Sequence, residues 1–539
     1  MNERPWLAEY PSGVPADIDP GQYTSLVALQ EEAFRKYADR TAYSYMGRDV
    51  SFAETDAQSQ ALAAYLQGLG LVKGDRVALM MPNLPQYPAA VAAVLRAGLV
   101  VVNVNPLYTP RELEHQLRDS GAKAIIIIEN FARTLQACIA NTPVKHVVLT
   151  SMGDRLGLLK GALVNLVVRR VRKLVPPFEL PGAVRYNDAV ARGRRLPFKQ
   201  PPIGPDDVAL LQYTGGTTGV SKGAVLLHRN VIANVLQSEA WNDPAVRKVP
   251  AGEQPTCVCA LPLYHIFAFT VSMMLFMRMG GKLILIPNAR DLPAVLKELS
   301  RHTFHVFPAV STLFNGLANH PQFDTVNWKN LRLSVGGGMA VQSAVAKLWL
   351  EKTGCPICEG YGLSETSPSV SCNPVTSTAF TGTIGVPLPS TSMKCIDESG
   401  QEVPVGQPGE IAIKGPQVMA GYWQRPDETA KVMTADGYFK SGDIGVMTER
   451  GYFRIVDRKK DMVLVSGFNV YPNEVEDVVA QLPGVLECAV VGVPDDKTGE
   501  AVKLVVVRKD GSLSEEQVRE YCRANLTGYK QPRVIEFRT

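Results

Sequence analysis

The chain has 539 residues, 46% hydrophobic and 20% charged, the balance of a folded protein of three or four units at roughly 150 residues each. Its 56 Lys and Arg against 52 Asp and Glu leave a net charge of +4, too little over this length to imply nucleic-acid binding by charge alone. No run nears the ~18 apolar residues of a membrane span, and "MNERPWLAEYPSG" lacks the order of a signal peptide, so a secreted, spanning or fibrous protein is not expected.

Short apolar runs alternate with helix-length amphipathic stretches through most of the chain. Strands are predicted at 76–81, 100–105, 124–128, 208–214, 256–262 and 282–287. Between them 59–70, 111–121 and 292–302 show the three-to-four residue spacing of helices, with frequent glycine stops. Such alternation predicts an α/β core with largely parallel sheets. Near residue 380 the texture changes to short β-like pieces with Gly and Pro turns, as in "GQPGEIAIKGP". After the charged run Arg458-Lys459-Lys460, helices at 473–482 and 514–526 mix with strands at 487–494 and 501–509. The expected fold is therefore α/β: a large N-terminal domain (1–457) of two α/β subdomains plus a small β-rich one, followed by a small mobile α+β lid (458–539).

One segment, 155–178, combines Leu159, Leu163, Leu166, Val167, Val171 and Leu174 on a single helical face with Lys160, Arg169, Arg170, Arg172 and Lys173. That composition suits a helix on an anionic membrane surface. It equally suits a surface helix packed on its domain with solvated basic residues. The nine cysteines point to a reducing compartment. Cys355-Pro-Ile-Cys358 has no second properly spaced Cys or His pair nearby, so buried thiols are expected rather than zinc.

The segment "YTGGTTGVSKGA", Tyr213 to Ala224, follows the strand "VALLQ" directly. Its glycines let backbone amides approach an anion, its hydroxyls can donate to phosphate oxygens, and Lys222 adds charge. It lacks the Gly-x4-Gly-Lys-Ser/Thr order of a Walker loop, which disfavours a P-loop kinase or GTPase.

This segment is similar to the phosphate-binding motif of the adenylate-forming superfamily of acyl-CoA synthetases, luciferases and peptide-synthetase adenylation domains. "LPLYHIFAF" (261–269), "SVGGGM" (334–339), "EGYGLSET" (359–366), "YFKSGD" (438–443) and "DRKKDM" (457–462) follow in the family's order. The lid sequence and "PLYHIFAF" most resemble bacterial long-chain fatty-acid–CoA ligases. The resemblance implies ATP and coenzyme A as co-substrates, Mg²⁺ as cofactor, a fatty acid as substrate and, as in relatives, a possible homodimer.

It also implies roles residue by residue. The nucleotide would meet Tyr213, Thr214, Gly215, Gly216, Thr217, Thr218, Gly219, Val220, Ser221, Lys222, Gly223 and Ala224. Gly338, Tyr361, Gly362 and Ser364 would join them near adenine and phosphate. Glu365 would ligate Mg²⁺, with Thr366 beside the α-phosphate. Asp443 would hold the ribose, with Arg458 as basic companion. Lys460 marks the position about which the lid turns, and Gly467 admits the pantetheine arm. His265 would lie where acid and nucleotide meet, Phe269 would gate the acyl tunnel, and Gly336 and Gly337 would let substrate pass close to backbone. From the residues alone, His265 and Phe269 read equally as core, and the Met273–Met277 run reads as either a channel lining or a helix core.

The family's last motif carries a lysine just beyond a segment resembling "LTGYKQPRVIEFR", and the sequence ends at Thr539 before that place, so impaired adenylation is expected of the chain as given. The competing readings are an adenylate former with a different acid, or a non-catalytic membrane-docked acyl- or nucleotide-binding protein. The residues and resemblance together favour a cytoplasmic ligase associated peripherally with the inner face of the membrane.

Overall fold

In the computed structural model, residues 4–214, 221–458, 461–465, 468–495, 498–526 and 528–538 are described. Two large sheets form the N-terminal part. One runs, in spatial order, through Gly421–Tyr422, Lys222–Leu227, Val208–Thr214, Val100–Asn103, Arg76–Met80, Ala124–Ile128, His146–Thr150 and Val184–Arg185. From Val208–Thr214 onward every neighbour is parallel, and only Lys222–Leu227 and Gly421–Tyr422 run against their partners. The other has a parallel centre, Ile357–Gly362, Leu333–Gly336, Val306–Ala309, Thr256–Cys259, Lys282–Leu285 and Thr41–Tyr45, closed by antiparallel strands at both edges.

Central parallel strands are covered on both faces, so they read as continuous apolar runs, and all five residues of Ala124–Ile128 are buried. One apolar core takes side chains from both sheets and from Phe52–Gly68, Gln86–Arg96 and His228–Val246. Gln86–Arg96 is buried along its whole length. A capping box of Ser51 and Glu54 starts Phe52–Gly68, and another of Thr109 and Glu112 starts Pro110–Ser120.

The predicted strands are present, though several stop early. Thr256–Cys259 ends before Pro262, and Lys282–Leu285 before Pro287, because proline cannot donate to the ladder. A third, antiparallel sheet of Ser392–Ile396, Gly409–Lys414, Phe439–Met447 and Phe453–Arg458 accounts for the change of texture after residue 380. Beyond it, Val463–Val465, Phe468–Val470, Val485–Asp495, Gly499–Arg508 and Val534–Arg538 form a small sheet with helices Pro472–Val479 and Glu515–Asn525. That unit has its own valine-rich core.

All nine cysteines are free and only Cys488 is less than buried, as expected of structural thiols. Residues 158–171 are helical, as Leu158–Leu166 followed by a π-helical turn, Val167–Val171. The apolar face of this helix points outward: Leu158 is 93% and Leu159 90% exposed. Among the described residues no helix is long and apolar enough to cross a membrane.

Candidate active site

A cleft of about 570 Å³ opens where the carboxyl ends of the parallel strands meet the third sheet. Ligands of open α/β sheets commonly bind at such strand ends. One wall is polar, from Thr214, Lys222, Ser364, Glu365 and Asp443; another is apolar, from Trp241, Phe267, Val271, Val335 and Leu388. The cleft thus offers contacts to both a charged and an oily group.

Glu365 sits in the one-turn helix Ser364–Thr366, held in place as Met419 N–H donates to its carbonyl at 2.7 Å. Its side chain is buried, and the Tyr422 hydroxyl donates to Oε1 at 2.8 Å. Burial raises the Glu365 pKa, opposed by the Tyr422 hydrogen bond and the Lys222 charge and reinforced by Asp443. A buried carboxylate lining the cleft is more stable beside a cation. A single hard oxygen donor at this place fits Mg²⁺ held by one protein carboxylate plus phosphate oxygens. No group of three metal-ligating side chains occurs among the described residues.

Asp443 is buried, and the Tyr361 hydroxyl donates to its Oδ2 at 2.6 Å. Tyr361 therefore presents its ring along the cleft with its edge tied to the acid. The turn before Asp443 needs Gly442 at φ +77°, whose amide donates to Glu410 at 3.1 Å. Across the ladder Asp443 is the register partner of Arg458. Gly362 is obligatory for packing, since a Cβ there would lie 2.0 Å from the Pro368 carbonyl oxygen.

Lys222 lines the cleft from the start of its strand, paired with Glu428 at 2.8 Å and 4.8 Å from the centre of the Tyr422 ring. Its partner's pKa is held down to about 2, chiefly by the Lys222 hydrogen bond. His265 lies at the cleft mouth, accessible yet hemmed in by protein, and the resulting desolvation lowers its pKa. Its imidazole is neutral at pH 7. Gly337 lines the cleft beneath Phe267, where a Cβ would meet the ring at 2.9 Å; Gly338 lines it with φ +80°.

Seven of the described candidates, Tyr213, Ser221, Gly223, Ala224, Phe269, Gly336 and Thr366, do not line the cleft. Tyr213 turns away from the cleft and donates to Asp119 Oδ2 at 2.6 Å, because the alternation of its strand places it on the opposite face from Thr214. Thr366 is fully buried; its hydroxyl accepts from Leu363 N–H at 3.0 Å and is spent on the turn. Phe269 is fully buried in the shared core, and its neighbours Phe267 and Val271 line the cleft instead. Gly336 answers to packing: a Cβ would meet Val341 at 2.5 Å and Ile357 at 2.8 Å. Gly223 and Ala224 are strand residues, and Ser221 donates to the Thr214 carbonyl at 2.5 Å. Residues Gly215, Gly216, Thr217, Thr218, Gly219 and Val220, together with Lys460 and Gly467, lie outside the described residues, and so does the Arg458 side chain. Met273–Met277 are buried and belong to the helix core.

Sequence reasoning missed Tyr422 and Trp241. Tyr422 comes 57 residues after Glu365, on a two-residue strand that no periodicity marks. Trp241 is buried in a long helix, where its indole N–H donates to the Asn373 carbonyl at 3.1 Å, and an interior aromatic carries no sequence signal of a ligand wall.

A buried cleft carboxylate, a lysine and an acid tied to an aromatic ring suit a nucleotide-using enzyme of the acid-activating class. The chain belongs to the AMP-binding enzyme family: that family's model matches residues 30–423, and the model of its C-terminal domain matches 474–539. It is 54% identical over 534 residues to the long-chain-fatty-acid–CoA ligase of Escherichia coli O6:H1, covering 99% of this chain and 94% of that one. The protein of the same name from Bacillus subtilis is 36% identical over 542 residues, covering 100% and 95%. Among solved structures, ATP-bound MatB from Rhodopseudomonas palustris superposes with a TM-score of 0.81 at 31% identity, covering 95% of each chain.

Proposed function

We propose that this protein is an AMP-forming long-chain fatty-acid–CoA ligase. It would activate a fatty acid with ATP to an acyl adenylate and pyrophosphate, then pass the acyl group to coenzyme A, releasing AMP. The observation that carries the reading is one cleft lined both by Lys222, Glu365 and Asp443 and by the apolar side chains of Trp241, Phe267, Val271, Val335 and Leu388. Identities of 50–54% with proteins named for that activity support it.

A carboxylate is a poor acyl donor because oxide is a poor leaving group. Attack by a carboxylate oxygen on the α-phosphorus forms an O–P bond as the bond to pyrophosphate breaks. Thiolate attack on the resulting mixed anhydride then expels AMP. In the first step Lys222 and the phosphate loop would draw the triphosphate into the cleft, and Asp443 would accept the ribose hydroxyls with Tyr361 beside the base. Neutral His265 at the mouth adds no charge to repel or trap the acid, and Gly337 lets it approach backbone. Mg²⁺, when held at Glu365, supplies charge neutralisation on phosphate oxygens. The two steps need different surroundings at one carbon. A lid (458–539) turning at Lys460 would provide them, with Gly467 admitting the thiol arm.

The fatty acid partitions into bilayers, and the reading places the enzyme in the cytoplasm at the inner face of the membrane. The test is ordered addition. With ATP, Mg²⁺ and palmitate but no coenzyme A, pyrophosphate and enzyme-bound palmitoyl-AMP are expected; coenzyme A then converts the adenylate to thioester. Thioester formation without a detectable adenylate would sink the mechanism.

A further inference from the structure

We propose that the helix 158–171 is a membrane-docking element that seats the protein on an anionic phospholipid surface. This deepens the peripheral localisation above by naming the surface responsible.

The helix is held to its domain by its small and polar side. Gly161 packs on Gly153, where a Cβ would lie 2.4 Å from the Gly153 carbonyl oxygen. The Gly153 amide donates to Asn165 Oδ1 at 2.8 Å, and Asn165 donates to Asp154 at 3.3 Å. Val168 is buried, and Arg169 makes two hydrogen bonds of 2.9 Å to the buried Glu129, which also pairs with Arg185 at 2.8 Å. These anchors leave the opposite face to solvent, and that face is the oily one. Besides Leu158 and Leu159, Leu163 is 60%, Leu166 55% and Val171 72% exposed. An ordinary surface helix buries its apolar stripe and solvates its polar one. Here the two are exchanged, and a contiguous exposed apolar patch marks an interaction site.

Charge selects the partner. From Arg155 to Phe178 the chain has six basic residues and no Asp or Glu. Lys160, Arg170, Arg172 and Lys173 stand exposed around the leucines. A second copy docked on this face about a two-fold axis would set one basic ring against another. An anionic bilayer instead accepts leucine side chains below its headgroups and the basic ring among them.

The test uses the whole protein without ATP, fatty acid or coenzyme A, so its outcome is independent of the ligase reading. Flotation is measured with phosphatidylcholine vesicles, with and without roughly 30 mol % phosphatidylglycerol. Binding to the anionic vesicles at low salt is expected, at least about tenfold tighter than to the neutral ones. Leu159→Ser with Leu163→Ser should weaken it about tenfold or more while the melting temperature holds, since both side chains already face solvent. Lys160→Gln with Arg170→Gln, Arg172→Gln and Lys173→Gln should weaken binding and flatten its salt dependence. In Leu159→Trp, indole emission should shift to the blue on adding anionic vesicles. Absence of flotation at low salt would overturn the proposal, and so would equal flotation of the leucine variant. A leucine variant that turned a dimer into a monomer while floating normally would also overturn it, assigning the face to a second copy. Loss of ligase activity with flotation intact would count against the ligase reading alone.

Discussion

Tyr422→Phe isolates one hydroxyl at the heart of the cleft. The ring, which lies 4.8 Å from Lys222, is kept, while the 2.8 Å hydrogen bond to Glu365 Oε1 is lost. Glu365 is already raised by burial, and the Tyr422 hydrogen bond is the largest influence pulling it back toward the ionised form. A hydrogen bond to a charged group contributes roughly 1.5–3 kcal/mol, so kcat/KM for ATP should fall about ten- to hundredfold. The sign of the pH effect follows. Removing a donor that favours the carboxylate raises the Glu365 pKa further, so the acidic limb of the kcat/KM profile should move to higher pH. The assay is fatty-acid-dependent AMP release under varied ATP across that limb, with KM for the acid as internal control. An unmoved limb with kcat/KM within about twofold of the parent would refute the placement of Glu365 at the reacting phosphates.

Asp443→Asn removes the charge that accepts from Tyr361 at 2.6 Å. It should raise KM for ATP about tenfold or more and leave that for the fatty acid nearly unchanged, read from initial rates. Gly337→Ala would press a methyl group against Phe267 at 2.9 Å; the ring must yield into the cleft, so KM for the acid should rise more than KM for ATP. Glu359 is buried with a pKa raised to about 8, mainly by desolvation, from an ordinary 4.5. A raised pKa stabilises the fold relative to the ionised form below pH 4.5 and loses that contribution as pH climbs through about 8. The stability of Glu359→Gln relative to the parent should therefore grow from acid to alkaline pH by up to ~5 kcal/mol, seen in denaturant midpoints across pH. Equal slopes would show that the Glu359 pKa is not raised by folding.

The strands were legible because both faces of a parallel sheet are apolar, as in Ala124–Ile128. Their ends were less so, where prolines cut Thr256–Cys259 and Lys282–Leu285 short. Glu365, Asp443, Lys222 and Tyr361 line the cleft as the motifs suggested. Motif membership does not say which way a side chain points. Tyr213 and Thr214 are neighbours in one motif, yet strand alternation sends one to Asp119 and the other to the cleft. Thr366 follows Glu365 but is consumed by its own turn. Residues such as Tyr422 and Trp241 reach the site only through tertiary packing. The outward apolar face of 158–171 was undecidable from composition, since either face of an amphipathic helix can be the packed one until Gly161 and Asn165 are seen in contact.

The most direct test of the central claim is the dependence of kcat/KM on acyl chain length in thioester formation with ATP, Mg²⁺ and coenzyme A. Acyl methylenes buried against the apolar lining of the cleft should gain up to about 0.8 kcal/mol each, close to fourfold, so the constant should climb steeply from short to long chains until the space is filled. A flat profile, or turnover confined to short or aromatic acids, would contradict the assignment of a long-chain fatty acid to this cleft.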